Sequence, residues 1–137
     1  MKPYSELENW QIEQEVLTRL GYCVGRRNNF HEILTPDGQH ICWIARRNLK
    51  EAWITIFHVP IIPHHSRDLN YALKLPLADG YLMYLSRNSH DVHIARIIEA
   101  EEGATAITVE GANPARALCE AWLLYMDAAA KHPVGGV

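Results

Sequence analysis

The sequence predicts an α+β protein, a three-layer α/β/α sandwich with a mainly antiparallel sheet. Three observations lead there. The second half reads as helix, three short strands, helix. The first half opens with a capped amphipathic helix followed by a hairpin. Both strand groups are separated by turn chemistry rather than by crossover helices, and short turns impose antiparallel pairing.

Ser5-Glu6-Leu7-Glu8 has capping-box form, a hydroxyl followed three residues later by a carboxylate. The helix it opens is expected to run to Leu20, burying Leu7, Trp10, Val16, Leu17 and Leu20. Gly21 then supplies the left-handed stop. Phe30–Leu34 and His40–Ile44 read as two strands joined through Thr35-Pro36-Asp37-Gly38-Gln39, where proline fixes φ and glycine permits a positive one. Residues 45–63 are mixed. Asn48-Leu49-Lys50-Glu51-Ala52 favours a short turn, and the β-branched and aromatic Trp53–Val59 predicts a strand. Pro60 and Pro63 bracket an extended loop.

Ser66 is expected to cap a helix over 67–73, with Asp68 complementing its positive end. Strands follow at Tyr81–Arg87, Val92–Glu99 and Ala104–Thr108, separated by Asn88-Ser89-His90-Asp91 and Glu101-Glu102-Gly103. Tyr81, Met83 and Leu85 share one face, and Leu82, Tyr84 and Ser86 the other. Both faces are partly apolar, which predicts cover on both sides. Asn113 caps a final helix, Pro114–Ala130, with Pro114 at its first position. Its stripe of Ala117, Leu118, Ala121, Trp122, Tyr125 and Ala128 marks it as indispensable: burying Leu118 and Trp122 alone contributes roughly 4 kcal/mol. The tail from His132 to Val137 is expected to be loose.

With 137 residues, 48% hydrophobic and 21% charged, the chain is expected to form one globular domain, 1–137. No apolar run reaches the roughly 18 residues that a membrane span needs, and no signal-peptide segment is seen, so no membrane partner is expected. Cys23, Cys42 and Cys119 are odd in number and lack CxxC spacing, which argues against a disulfide framework and for reduced thiols in a cytoplasm. The net charge of −3 argues against general nucleic-acid binding. The charge is uneven: Arg19, Arg26, Arg27, Arg46, Arg47 and Lys50 face only Glu32 and Asp37 between positions 19 and 50.

The chain resembles the small bacteriophage and prophage proteins that carry the phage ABA sandwich domain. The resemblance rests on Leu20-Gly21-Tyr22, Pro36-Asp37-Gly38, the stretch from Pro63-His64-His65-Ser66-Arg67-Asp68 to Asn70, and the Ala-rich run from Pro114 through Cys119 to Trp122. It covers most of the chain. Arg67 stands where the family usually has Thr, and Trp53–Val59 looks like an extra segment. The resemblance implies a three-layer sandwich of phage origin in a host cytoplasm and transfers no catalytic residue.

Eight histidines invite a metal reading. His40 and Cys42, as i and i+2 of a strand, share a face, and His58, His64 and His65 are further donors. No HExxH, CxxC or H-x₃-H spacing accompanies them, so no metal or other cofactor is predicted. Ser66 beside His65 and Asp68 is a cap rather than a triad, since triads assemble by folding. Cys119 reads as a buried structural thiol. Gly21, Gly25 and Gly38 are too dispersed for a phosphate loop, and Glu101-Glu102 is a solvated turn.

The strongest functional pattern is basic and aromatic. Arg46, Arg47 and Lys50 follow the hairpin; His64, His65, Ser66 and Arg67 lead into the second helix; Trp53 or Trp43 offers a stacking surface. Together they predict a seat for an anionic small molecule such as a nucleotide. The expected role is a non-catalytic phage accessory protein that counteracts host defence by sequestering a signalling nucleotide or blocking a host protein, as a homo-oligomer. A small metal-dependent or nucleotide-processing enzyme using the histidines, and a minor virion or assembly component, are the alternatives.

Overall fold

The computed structural model describes residues 2–46, 48–103 and 105–131. Arg47, Ala104 and the tail 132–137 lie outside the described residues, and with them the expectations placed on those positions. The protein is α+β, and all strand pairing is antiparallel. Among the described residues the strands form two three-stranded sheets rather than one. The chain divides into two compact units, Glu6–His64 and Met1–Ser5 with His65–Val137.

In the first unit, α1 spans Asn9–Leu20. It starts later than the Ser5 box predicted. Tyr4–Glu6 is a 3₁₀ turn instead, and the box is shifted to Glu8, whose N–H donates to the Gln11 side chain at 2.9 Å. The helix buries Ile12, Glu13, Val16 and Leu17. Gly21 ends it at φ 103°, where a side chain would also meet Pro36 at 3.1 Å. Strands β1 (Cys23–Arg27), β2 (Phe30–Leu34) and β3 (His40–Ile44) follow in sheet order 1-2-3. The hairpin of β2 and β3 has the bounds the sequence predicted. Strand β1 was not anticipated, because Gly25 and two arginines give it little strand propensity. It is recruited by the two-residue Asn28-Asn29 turn, with Arg27 opposite Phe30.

Residues 49–56 correct the sequence reading. Leu49–Ile56 is a helix, α2, not a turn leading into a strand. Asn48 caps it, its side-chain oxygen accepting from Glu51 N–H at 2.8 Å. Ala52, Trp53 and Ile56 then fall on one face and join Leu17, Ile33, Ile44 and Ile62 in a buried core. Tertiary burial at helical spacing outweighs the β-propensity of the individual residues. Both helices therefore line the face of the sheet that carries Ile33 and Ile44, and the residues alternating with these point outward.

In the second unit, α3 is a single turn, Leu69–Ala72, capped by Asp68 rather than Ser66: Asp68 Oδ1 accepts from Asn70 N–H at 3.0 Å. Strands β4 (Tyr81–Arg87), β5 (His93–Glu99) and β6 (Thr105–Gly111) form a meander. The turn after β4 is held by Asn88, whose side chain accepts from His90 and Val92 N–H groups. Helix α4 spans Pro114–Lys131, and Asn113 accepts from Arg116 N–H as expected. It packs chiefly on β5 and β6, with Leu118 and Trp122 fully buried beside Ala95 and Ile97. Trp122 Nε1–H donates to Pro76 O at 2.7 Å. The opposite face is not covered as predicted: Leu82 and Tyr84 on it are about half exposed, at 54% and 51%. Among the described residues, no helix is long and apolar enough to cross a membrane.

Candidate ligand-binding site

The site begins with the register of β1–β3. His31 and Ile33 point into the core, so Phe30, Glu32 and Leu34 point outward. Pairing sets Arg27 beside Phe30 and Trp43 beside Glu32 on that outward face. Phe30 and Trp43 are 46% and 51% exposed. Their rings meet edge to face, with centroids 6.5 Å apart. Two large aromatic groups held against each other in solvent forgo burial that the core rewards, and such patches mark interaction surfaces.

The charged groups around these rings are ordered. Glu32 Oε2 accepts from His40 Nδ1 at 2.9 Å, and its other oxygen lies 3.7 Å from Arg27 Nε. The His40 ring in turn lies over Trp43, with centroids 4.7 Å apart. The outward orientation of His40 corrects the expected His40–Cys42 pair. Pairing slips between Ile33 and Leu34, so that Ile33 faces Cys42 while Leu34 faces His40, and Ile41 is the extra residue. Cys42 packs against the core, where burial pushes its thiol up from the ordinary value. Among the described residues no group of three or more His, Cys, Asp or Glu is placed to share a metal ion.

Beyond β3 the chain is fixed by His31. Its Nδ1–H donates to Arg46 O at 2.8 Å, and the ring itself is buried. This bond carries Arg46 to the hairpin tip. Two hollows lie at this tip, one on the outward face with Arg27 and Trp43 and one on the side of Arg26, which pairs with the inward-pointing His31. Arg27, Asn28, Phe30 and Trp43 line one of about 460 Å³. Arg26, Asn29, Phe30, Ala45 and Arg46 line another of about 350 Å³. The turn between them carries Asn28 at φ 53°, a left-handed conformation asparagine tolerates better than most residues.

The residues named from sequence have several fates. Arg46 lines the second of these hollows. Lys50 is exposed in the first turn of α2. Trp53, expected to stack on a ligand, is a core residue at 5% exposure, since α2 turns it inward. His64 is buried, its Nε2–H donating to Val59 O at 2.7 Å. His65 and Ser66 are buried and Arg67 is exposed; all three fall in the other unit. Arg47 lies outside the described residues. Arg27, Asn28 and Phe30 were missed as site residues. Their signal was Asn28-Asn29, a two-residue turn that would have set Arg27 beside Phe30 and Trp43 one strand further.

The surface combines aromatic faces, guanidinium groups and side-chain amides: groups that stack on a planar ring, clamp an anion and read polar edges. No protein-family model, curated protein or solved structure matches the chain.

Proposed function

We propose that the protein is a nucleotide-binding protein and that it captures its ligand at the tip of the β1–β2 hairpin. The observation that carries this reading is the exposed Phe30–Trp43 pair with Arg27 and Asn28 beside it in one hollow. Stacking on an aromatic side chain contributes about 1–3 kcal/mol per base, and a guanidinium offers phosphate two parallel hydrogen bonds. Together with the resemblance to phage sandwich proteins, this supports a role in sequestering a host signalling nucleotide.

Trp43 makes the reading measurable. It is the most exposed of the four tryptophans, since Trp53 and Trp122 are buried and Trp10 is partly buried. Titration with nucleotides is expected to quench its emission, and Phe30→Ala and Arg27→Ala to weaken binding about tenfold each. A quench that survives Trp43→Phe, or unaltered affinity in both alanine variants, removes the site.

A second reading takes the Glu32–His40 pair as catalytic. A carboxylate holding Nδ1–H leaves the other imidazole nitrogen as an acceptor, the arrangement of an oriented general base. Nucleotide recovered unchanged after incubation and heat denaturation selects capture. Conversion that disappears in His40→Ala selects processing.

A further inference from the structure

The second unit presents an open sheet edge. In the order β4-β5-β6, strand β6 pairs only with β5 among the described residues. Alternate residues of β6 therefore turn their N–H and C=O away from the sheet, a pattern that invites another strand. Thr105–Gly111 contains neither Pro nor Lys, residues that commonly blunt such an edge.

A hollow of about 460 Å³ lies along this edge, bounded by Thr108, Val109 and Glu110, by Glu120, Leu124 and Asp127 of α4, and by residues 2–5. Successive strand residues point to opposite faces. Val109 pairs with the buried Ala95, on the side that α4 covers, and Thr108 and Glu110 lie on the other. A hollow that touches all three meets the edge of the strand and not one of its faces. Leu124 beside it is 42% exposed, an apolar side chain left at the margin of the core. The lining carries three carboxylates against one ammonium, Lys2. Asp127 accepts from the Tyr4 hydroxyl and Glu120 pairs with Arg116 at 3.1 Å, while Glu110 is exposed on the strand itself.

We propose that β6 docks an extended peptide segment of another protein, alternating apolar and basic residues, as a fourth strand of this sheet. Backbone pairing supplies the binding, and side chains on the two faces supply the choice. Directly opposed residues of paired strands share a face. The peptide residue opposite Val109 thus lies on the side of Leu124 and is apolar. The residue opposite Glu110 lies on the other face, where a lysine or arginine meets the carboxylate. A second copy of this chain is disfavoured, since its own β6 would bring another Glu110 to the acidic lining.

The test is NMR titration of the full chain with eight-residue peptides capped at both ends: alternating Val and Lys, alternating Val and Glu, and the Val-Lys peptide N-methylated either at its valines or at its lysines. The Val-Lys peptide is expected to shift amide signals of β6 and α4 and not those of β1–β3. It should bind at least about tenfold more tightly than the Val-Glu peptide, a margin that narrows at high salt. One of the two N-methylated forms, unable to donate to the edge, is expected to lose binding. Glu110→Lys is expected to weaken the Val-Lys peptide about fivefold and Leu124→Ala to weaken both peptides. Both side chains are exposed, so the fold should tolerate these changes. Absence of binding, equal affinity for the two charge types, binding retained by both N-methylated forms, or unchanged affinity in both variants overturns the proposal. A dimer in sedimentation that Leu124→Ala dissolves assigns the edge to a second copy and overturns it as well.

Discussion

At the scale of single residues, the first unit stores a polar pair in its interior. Glu13 is 1% and His64 8% exposed, and Oε2 of one faces Nδ1 of the other at 3.8 Å. Because His64 Nε2 donates to Val59 O, Nδ1 of a neutral ring is an acceptor turned toward a carboxylate. Sequence reading placed His64 in a binding site because it leads, with His65, Ser66 and Arg67, into a helix start. It did not anticipate Glu13, since a carboxylate on an amphipathic helix normally faces water. Replacing His64 with Ala leaves Glu13 buried without its imidazole and Val59 O without its donor. The variant is expected to lose about 2–3 kcal/mol in urea unfolding. A loss below about 0.5 kcal/mol would place the residue with ordinary surface positions.

At the scale of elements, α2 shows how pattern and propensity compete. Trp53-Ile54-Thr55-Ile56-Phe57 favours a strand residue by residue. The structure makes it helical because Asn48 satisfies a free N–H at the start and because Ala52, Trp53 and Ile56 bury on one side. Thr55 adds a hydroxyl bond to Glu51 O at 2.9 Å. Asn48→Ala is expected to cost about 1 kcal/mol of stability. It should also raise amide exchange selectively over residues 49–52, as read by NMR; uniform exchange across the unit would show that the cap is unimportant. The helix α4 and strands β2–β4, by contrast, were legible at once. Asn113-Pro114, Pro36-Asp37-Gly38 and Asn88-Ser89-His90-Asp91 are local signals whose conformations need no tertiary partner. The site was half legible for the same reason. Basic residues and Trp43 were visible in the string, but their convergence depended on strand register.

At the scale of the whole molecule, the first residues of the chain belong with its last helix. Tyr4 bonds through its hydroxyl to the Asp127 carboxylate, and Arg116 Nη2 donates to Tyr4 O at 3.1 Å while its Nε pairs with Glu120. Deleting residues 2–5 is therefore expected to destabilise the second unit, raising hydrogen exchange across α4 by the equivalent of about 1–3 kcal/mol. Exchange in β2 and β3 should stay unchanged. Loosening of β2 instead of α4 would contradict this assignment.

The sequence by itself determined the α+β class, the antiparallel meander, the terminal helix and the uneven placement of arginine. These follow from periodicity, caps and turns, which act over a few residues of chain. Only the tertiary structure decided that α2 is a helix, that Trp53 is core while Trp43 faces solvent, and that Arg27 stands beside Phe30 on the outward face. Each of those outcomes depends on which side of a sheet or helix is buried, and burial is settled by partners distant in the chain.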